Sequence, residues 1–318
     1  MKIAVLTSGG DAPGMNAAIR AVVRTTLYHG HQAYAIYDGY RGLIKGYIVE
    51  VDKKSVSDIL SRGGTVLGTS RLDEFKYEEV RQQAIDKLRA YEIDCLIVIG
   101  GDGTYKGAAD LNKMGFPTIG IPASIDNDIA GTDYTIGFHT ALNTIVQDID
   151  KLKDTSSSHQ RASVVETMGR RKGDLALYAG LSTGAEFIIT PEHQIDKETI
   201  IESLKKHLKD GRRNAIIIVT EKMLNTYEFA NEIAEKSGFA CRATVLGYVQ
   251  RGGSPVPKDR ILAGRMGAYA VEAALAGKSG IAIGVKHEDI VEYPFEEAFK
   301  KGNDKKLKEL FELVPKIS

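Results

Sequence analysis

Short apolar runs alternate with longer stretches of three-to-four-residue periodicity along nearly the whole chain. The runs at Ile3–Leu6, Ala33–Tyr37, Cys95–Ile99, Thr118–Ile121, Ala162–Thr167, Glu186–Thr190, Ala215–Thr220 and Gly280–Val285 predict strands. Between them, Met15–Tyr28, Tyr77–Ala90, Tyr105–Met114, Ala141–Leu152, Asp174–Leu181, Lys197–Lys209, Glu228–Lys236 and Asp259–Ala276 predict helices. Short strands alternating with amphipathic helices are the pattern of β-α units laid around a parallel sheet, so the expected fold class is α/β. Pro13 stands just ahead of the first helix, where its missing amide proton leaves no bond unmade, and glycines after the strands permit sharp turns. No low-complexity linker or convincing repeat interrupts the pattern. The triplets Gly9–Asp11 and Gly100–Asp102 read as similar answers to one turn.

Composition narrows the functional classes. With 318 residues, 43% of them hydrophobic, the chain can bury one large core or two of ordinary size. Lys plus Arg and Asp plus Glu are equal at 42 each, so no global field favours nucleic acid or an anionic membrane. Any anion must be held locally. The apolar start, Met1 to Thr7, breaks at Ser8-Gly9-Gly10, too soon for a signal-peptide core, and no stretch approaches a membrane span. Cys95 and Cys241 lie far apart, Cys95 inside an apolar run, which suits core thiols in a reducing, cytoplasmic setting.

In open α/β sheets, ligands gather at the carboxyl ends of strands. Three loops there are unusual. Thr7-Ser8-Gly9-Gly10-Asp11-Ala12-Pro13-Gly14-Met15-Asn16 can turn backbone amides toward an anion at a helix start. Gly9 and Gly14 have Walker spacing, but Met15-Asn16 stand where Lys-Ser/Thr is needed, which excludes an ordinary P-loop. Gly100-Gly101-Asp102-Gly103-Thr104 lets backbone approach a polyphosphate, and Asp102 is a hard carboxylate suited to Mg²⁺. Pro122-Ala123-Ser124-Ile125-Asp126-Asn127-Asp128 sets two carboxylates two residues apart, one able to take a proton while the other orients its surroundings. Each loop alone is also compatible with a plain turn or a solvated acid.

Together the segments Ser8–Arg20, Gly100–Thr104, Ser124–Phe138, Asp154–Arg161, Glu166–Arg170 and Arg242–Arg260 resemble the bacterial ATP-dependent 6-phosphofructokinase family, almost end to end. The resemblance implies two doubly wound, three-layer α/β/α domains with the active site in the cleft between them. One would be an ATP-binding domain of residues 1–138 plus 251–300, the other a sugar-phosphate domain of 139–250 plus 301–318. It implies Mg²⁺ on Asp102, ATP as co-substrate, and Gly10, Arg71, Leu72, Gly101, Asp102, Gly103 and Thr104 around the nucleotide. Asp126 would be the general base, Arg71 and Arg170 would steady the transferring phosphoryl group, and Ser124 and Asp128 would position the reacting groups. Fructose 6-phosphate would contact Ser124, Ile125, Asp126, Met168, Gly169, Arg170, Glu221, Tyr248, Val249, Gln250 and Arg251, with Arg161 and Arg242 reaching in from a neighbouring subunit of a homotetramer. An effector pocket would involve Arg20, Arg24, Lys153, Gly184, Glu186 and Arg212. No nucleic acid or membrane partner is implied.

The chain departs from the family pattern in places. Ala123-Ser124 replaces Gly-Thr, which keeps the hydroxyl. Gly103 and Ala123 stand where pyrophosphate-using relatives carry Asp and Lys, which favours ATP. Tyr248 replaces a histidine, and a phenol donates a hydrogen bond without a positive charge near neutral pH. In the effector set, Lys153 replaces an arginine, Asp210 a basic residue and Asn214 a histidine. Alternatives are a same-fold kinase for another sugar phosphate such as tagatose 6-phosphate, and a pyrophosphate donor. A nicotinamide dehydrogenase fails because no Gly-x-Gly-x-x-Gly with an acid about twenty residues on follows the first strand. A non-catalytic relative would be expected to have lost Asp102, Asp126 or Arg170.

Overall fold

A computed structural model describes residues 1–300 and 305–317, and the chain divides into two compact units. Residues 301–304 and 318, expected in the second domain, lie outside the described residues.

The first unit, Met1–Thr140 with the segment from Arg251, is built on strands β1 (Lys2–Ser8), β2 (Gln32–Ile36), β3 (Ile48–Val51), β4 (Cys95–Gly100), β5 (Thr118–Pro122), β10 (Ile281–Lys286) and β11 (Asp289–Pro294). Their order is β11-β10-β5-β4-β1-β2-β3. The five inner strands are parallel, whereas β3 and β11 run antiparallel at the edges. Alternate residues of the inner strands, among them Leu6, Ile36, Leu96 and Val98, join a core with Leu43, Ile85, Leu88, Tyr105 and Leu111. Those partners come from α2 (Gly39–Lys45), α3 (Glu78–Ala90) and α4 (Asp102–Lys113). The short α10 (Phe295–Ala298) packs against α4 on this face, and the opposite face, carrying Ile3, Val5 and Ile97, is covered by α1 (Met15–Tyr28) and α9 (Pro257–Leu275).

The second unit, from Ala141 to Gln250 with the C-terminal helix, holds β6 (Ala162–Thr167), β7 (Phe187–Ile189), β8 (Ala215–Thr220) and β9 (Cys241–Val245) in the order β7-β8-β6-β9, all parallel. Val164, Ile189, Ile217 and Val219 pack on Ile200, Leu204, Phe229 and Ile233. These belong to α7 (Lys197–Lys209) and α8 (Thr226–Ser237), while α6 (Asp174–Thr183) packs on β7 and β8, with α11 (Lys305–Ile317) behind it. The chain enters this unit along α5 (Phe138–His159).

The α/β class stands, with differences that include an unexpected parallel strand, β9, in the second sheet. The sheet of the first unit is not purely parallel: both of its antiparallel edge strands were missed, because the Ile48–Val51 and Asp289–Pro294 runs carry charges at exposed positions and are too mixed to read as buried strands. Helix α4 starts at Asp102, three residues ahead of the expected Tyr105. Its first turn therefore contains Asp102, Gly103 and Thr104.

Candidate functional site

The two glycine-bearing loops and the Asp126 loop leave the first sheet at one level, because β5, β4 and β1 are neighbours and their ends are in register. Ser8 pairs with Gly100, and Gly100 with Pro122. The Thr104 hydroxyl donates to Ser8 O at 2.9 Å, and Ala123 N donates to Gly100 O at 3.0 Å. Gly100 is required by crowding: a Cβ there would stand 2.4 Å from both Ser8 O and Thr104 Oγ1.

Side-chain bonds to backbone, rather than regular structure, hold the loops that follow. In the third loop, the Ser124 hydroxyl donates to Asp128 Oδ1 at 2.9 Å and accepts from Asp126 N at 3.2 Å. Asn127, in the left-handed region at φ 52°, accepts from Thr135 N at 3.0 Å and donates to Asp133 O. Thr135 also donates to Ser124 O, and Ser124 N to Ile136 O. Asp126 is 5% exposed in this frame.

Residues 61–72 carry Arg71 and Leu72 across the same edge without regular structure. Buried Asn16 donates to Arg62 O and Gly63 O and accepts from Val66 N at 2.7 Å. Thr69 donates to Gly9 O at 2.7 Å, beside Gly10, and Ser70 donates to Asp38 O. Arg71 is exposed, as is Gly10, while Leu72 is half-buried. Arg251 belongs to this unit too; its Nη1 donates to Asp11 O at 2.9 Å and lies over Gly10. Asp102 pairs with Lys106 at 2.8 Å, one turn along α4. The structure thus brings together Gly10, Arg71, Leu72, Gly101, Asp102, Gly103, Thr104, Ser124, Ile125, Asp126, Asp128 and Arg251 at one sheet edge.

In the second unit, a tight turn follows β6. Gly169 has φ 149° and Arg170 φ 57°, both left-handed, with Lys172 N bonded to Gly169 O at 2.8 Å. Arg170 N donates to Glu221 Oε1 at 2.9 Å, and Met168 N to Gln250 Oε1 at 3.0 Å. Gln250 is fully buried, and its amide donates to Gly247 O, closing the turn that leaves Tyr248 and Val249 exposed. Met168, Gly169, Arg170, Glu221, Tyr248, Val249 and Gln250 therefore share the carboxyl edge of this sheet. Arg161 and Arg242 do not join them. Arg161 precedes β6 and Arg242 pairs with Ser163, so both stand at the opposite, amino edge. Seven residues of extended chain, about 23 Å, separate Arg161 from Met168.

Also in this unit, Arg212 Nη1 lies 3.7 Å from Glu186 Oε1, Glu186 Oε2 accepts from Ile216 N, and the Lys153 ammonium donates to Thr183 O beside Gly184. Burial, with the Arg212 charge, pushes the His207 pKa down. Asp210 is exposed next to this group. Arg20 and Arg24 are on α1 of the first unit.

Sequence reasoning missed Asn16, Asn127, Thr135 and Thr69. A lone Asn or Thr gives no period or spacing to read. The only hint was that polar side chains inside glycine-rich turns bond nearby backbone.

Comparison with known proteins places these features in context. A family model described as Phosphofructokinase matches residues 2–274. A curated protein of Photobacterium profundum, named ATP-dependent 6-phosphofructokinase, is 53% identical over 316 residues, covering 99% of each chain. One of the same name from Vibrio campbellii is 54% identical over 299 residues, 94% of this chain and 93% of that one. The solved phosphofructokinase of Saccharomyces cerevisiae is similar with a TM-score of 0.88 and 37% identity, covering 98% of this chain and 50% of that one.

Proposed function

The chain belongs to the phosphofructokinase family, and on that premise we propose that it transfers the terminal phosphoryl group of ATP to the 1-hydroxyl of D-fructose 6-phosphate. The products are fructose 1,6-bisphosphate and ADP, the committed step of glycolysis. The observation that carries the reading is the common level of three strand ends, Ser8, Gly100 and Pro122, from which the glycine turns and the Asp126 loop leave side by side.

Phosphoryl transfer spreads charge over peripheral oxygens in a loose transition state, so a protein mainly aligns the partners and supplies positive charge. In this reading the first unit takes the nucleotide: Gly10, Leu72, Gly101, Gly103 and Thr104 line it. Arg71 and Arg170 steady the moving phosphoryl group with charges that persist at any physiological pH. Asp126 takes the proton of the attacking hydroxyl, and Ser124 and Asp128, already bonded to each other, hold its loop. The second unit takes the sugar phosphate through Met168, Gly169, Arg170, Glu221, Tyr248, Val249 and Gln250, with Ile125 and Arg251 contributed by the first. The space beyond Gly103 is open, with nothing within 4 Å of where a Cβ would lie, which supports a nucleotide over pyrophosphate as donor.

The residues fit Mg²⁺. Asp102 offers one hard carboxylate, and among the described residues no group of three or more His, Cys, Asp or Glu is arranged to hold a metal unaided. Mg²⁺ is commonly held by one or two carboxylates, with substrate phosphates and water completing its shell. When bound, it offsets charge on the polyphosphate.

The position of Arg161 and Arg242 at the amino edge of the second sheet supports a homotetramer in which they serve a neighbouring subunit's sugar phosphate. No described helix is long and apolar enough to cross a membrane. A cytoplasmic location accords with a glycolytic reaction. We assign Arg20, Arg24, Lys153, Gly184, Glu186 and Arg212 to an anionic effector; Asp210 adds a like charge there and weakens its hold.

The test measures ADP formation from Mg-ATP with fructose 6-phosphate, then with tagatose 6-phosphate, and turnover with pyrophosphate as donor. Turnover with pyrophosphate and none with ATP would overturn the donor assignment. Preference for tagatose 6-phosphate would overturn the acceptor.

A further inference from the structure

Asp259, on the first turn of α9, is fully buried and is assigned above neither to substrate nor to metal. Its Oδ1 accepts from Gly137 N at 3.1 Å, and its Oδ2 accepts from Thr140 N at 2.8 Å and from the Thr140 hydroxyl at 2.5 Å. That hydroxyl accepts in turn from Val256 N at 3.0 Å. Burial raises the Asp259 pKa against the pull of these bonds. A carboxylate from one helix thereby satisfies the open amides at the start of another, α5.

The amides it holds adjoin the frame of the Asp126 loop. Gly137 directly follows Thr135 and Ile136. Thr135 bonds Ser124 O and Asn127 Oδ1, and Ile136 O accepts Ser124 N. Ile136 also lies against Gly14, where an added Cβ would come 2.7 Å from its Cγ2, so the first loop abuts the same point. We propose that Asp259 is a positioning residue for phosphoryl transfer, fixing Asp126 through Gly137, Thr135 and Ser124. This rests on the assignment of Asp126 as general base.

Asp259→Asn keeps the size but turns an NH₂ toward the Gly137 or Thr140 amide, donor against donor. Thr140→Val removes the hydroxyl's bond to Asp259 and the one it accepts from Val256 N, and leaves the carboxylate. Both variants are purified, their melting temperatures recorded, and kcat and KM measured for ATP and fructose 6-phosphate. A small shift of the base lowers kcat by about 10- to 100-fold in Asp259→Asn and less in Thr140→Val, while both KM values stay within about two-fold. In an Asp126→Asn background, Asp259→Asn leaves the residual rate unchanged, because both substitutions act through one group. A role in stability alone would instead lower Tm and leave kcat of the folded enzyme intact, and that result overturns the proposal. So does an equal loss in both backgrounds. Should Asp259→Asn not fold, Thr140→Val and its cycle with Asp126→Asn decide. A wild-type enzyme without turnover on fructose 6-phosphate would instead remove the reaction assignment, and this inference with it.

Discussion

Substituting Gly169 by alanine tests the second unit's role most directly. Gly169 has φ 149°, in a region that side chains rarely enter, and a residue forced there costs about 1–3 kcal/mol. Space is also lacking: a Cβ would stand 2.4 Å from Lys172 O and 3.1 Å from Thr220 Cγ2. The Lys172 carbonyl belongs to a turn already closed by Lys172 N on Gly169 O at 2.8 Å, so it cannot swing aside alone. Relief must come from the turn itself, which carries Arg170 and its backbone bond to Glu221. With Arg170 in its proposed role, displacing its guanidinium by around 1 Å costs on the order of 100-fold, so kcat/KM for fructose 6-phosphate falls by about that factor while KM for ATP holds within about two-fold. Initial rates of ADP formation, varied in each substrate, measure both, and thermal melting measures the strain. A folded Gly169→Ala enzyme with unaltered fructose 6-phosphate kinetics would refute the reasoning, and an equal rise in both KM values would refute the division of labour.

Asp126→Asn keeps the loop's hydrogen-bonding geometry but removes the proposed base, so turnover drops by roughly 10²–10⁴; substrate binding, followed by titration, persists. Thr104→Val strips the buried donor from Ser8 O, which links the first two loops. It lowers stability by about 1–3 kcal/mol, read by denaturant melts, and weakens nucleotide binding. Burial pushes the Cys95 thiol up to about 12 and the Cys241 thiol up to about 11. At pH 8 both are protonated, and modification by a thiol-disulfide reagent waits on unfolding; rapid reaction of two thiols in the native enzyme would contradict this.

The sequence made legible whatever repeats. Inner strands such as Cys95–Ile99 are apolar on both faces and helices such as Met15–Tyr28 carry a long stripe, so both were placed to within a residue or two. The edges escaped because β3 and β11 bury only alternate or scattered residues, and the Glu50 and Glu292 side chains in them look like loop chemistry. Candidate site residues were found through glycines and charges, which stand out in composition. Their supports were not, since Asn16 and Asp259 sit inside helix patterns where one polar residue reads as an exposed one. Both are fully buried.

Asn16 shows why a Walker comparison misleads here. At the position where a P-loop would offer a hydroxyl to a metal, this chain has an amide, and the amide is consumed by its own chain: two carbonyls at Arg62 and Gly63 and the Val66 amide. An amide is the side chain that can donate two bonds and accept one at a buried point without a charge to desolvate. The start of α1 is thus spent on holding the 61–72 segment across the sheet edge. In the proposed reaction the positive charge comes from that segment's Arg71 instead. A loop without regular structure can hold an arginine in place only if its backbone groups are satisfied elsewhere. Asn16 does so for Arg62 O, Gly63 O and Val66 N, while the Thr69 and Ser70 hydroxyls tie the segment to Gly9 O and Asp38 O. The second unit solves the same problem in the same way, with Glu221 and Gln250 accepting the amides of Arg170 and Met168. In both units, then, the arginine proposed to face phosphate is exposed, while a fully buried amide side chain, Asn16 or Gln250, bonds the backbone near it.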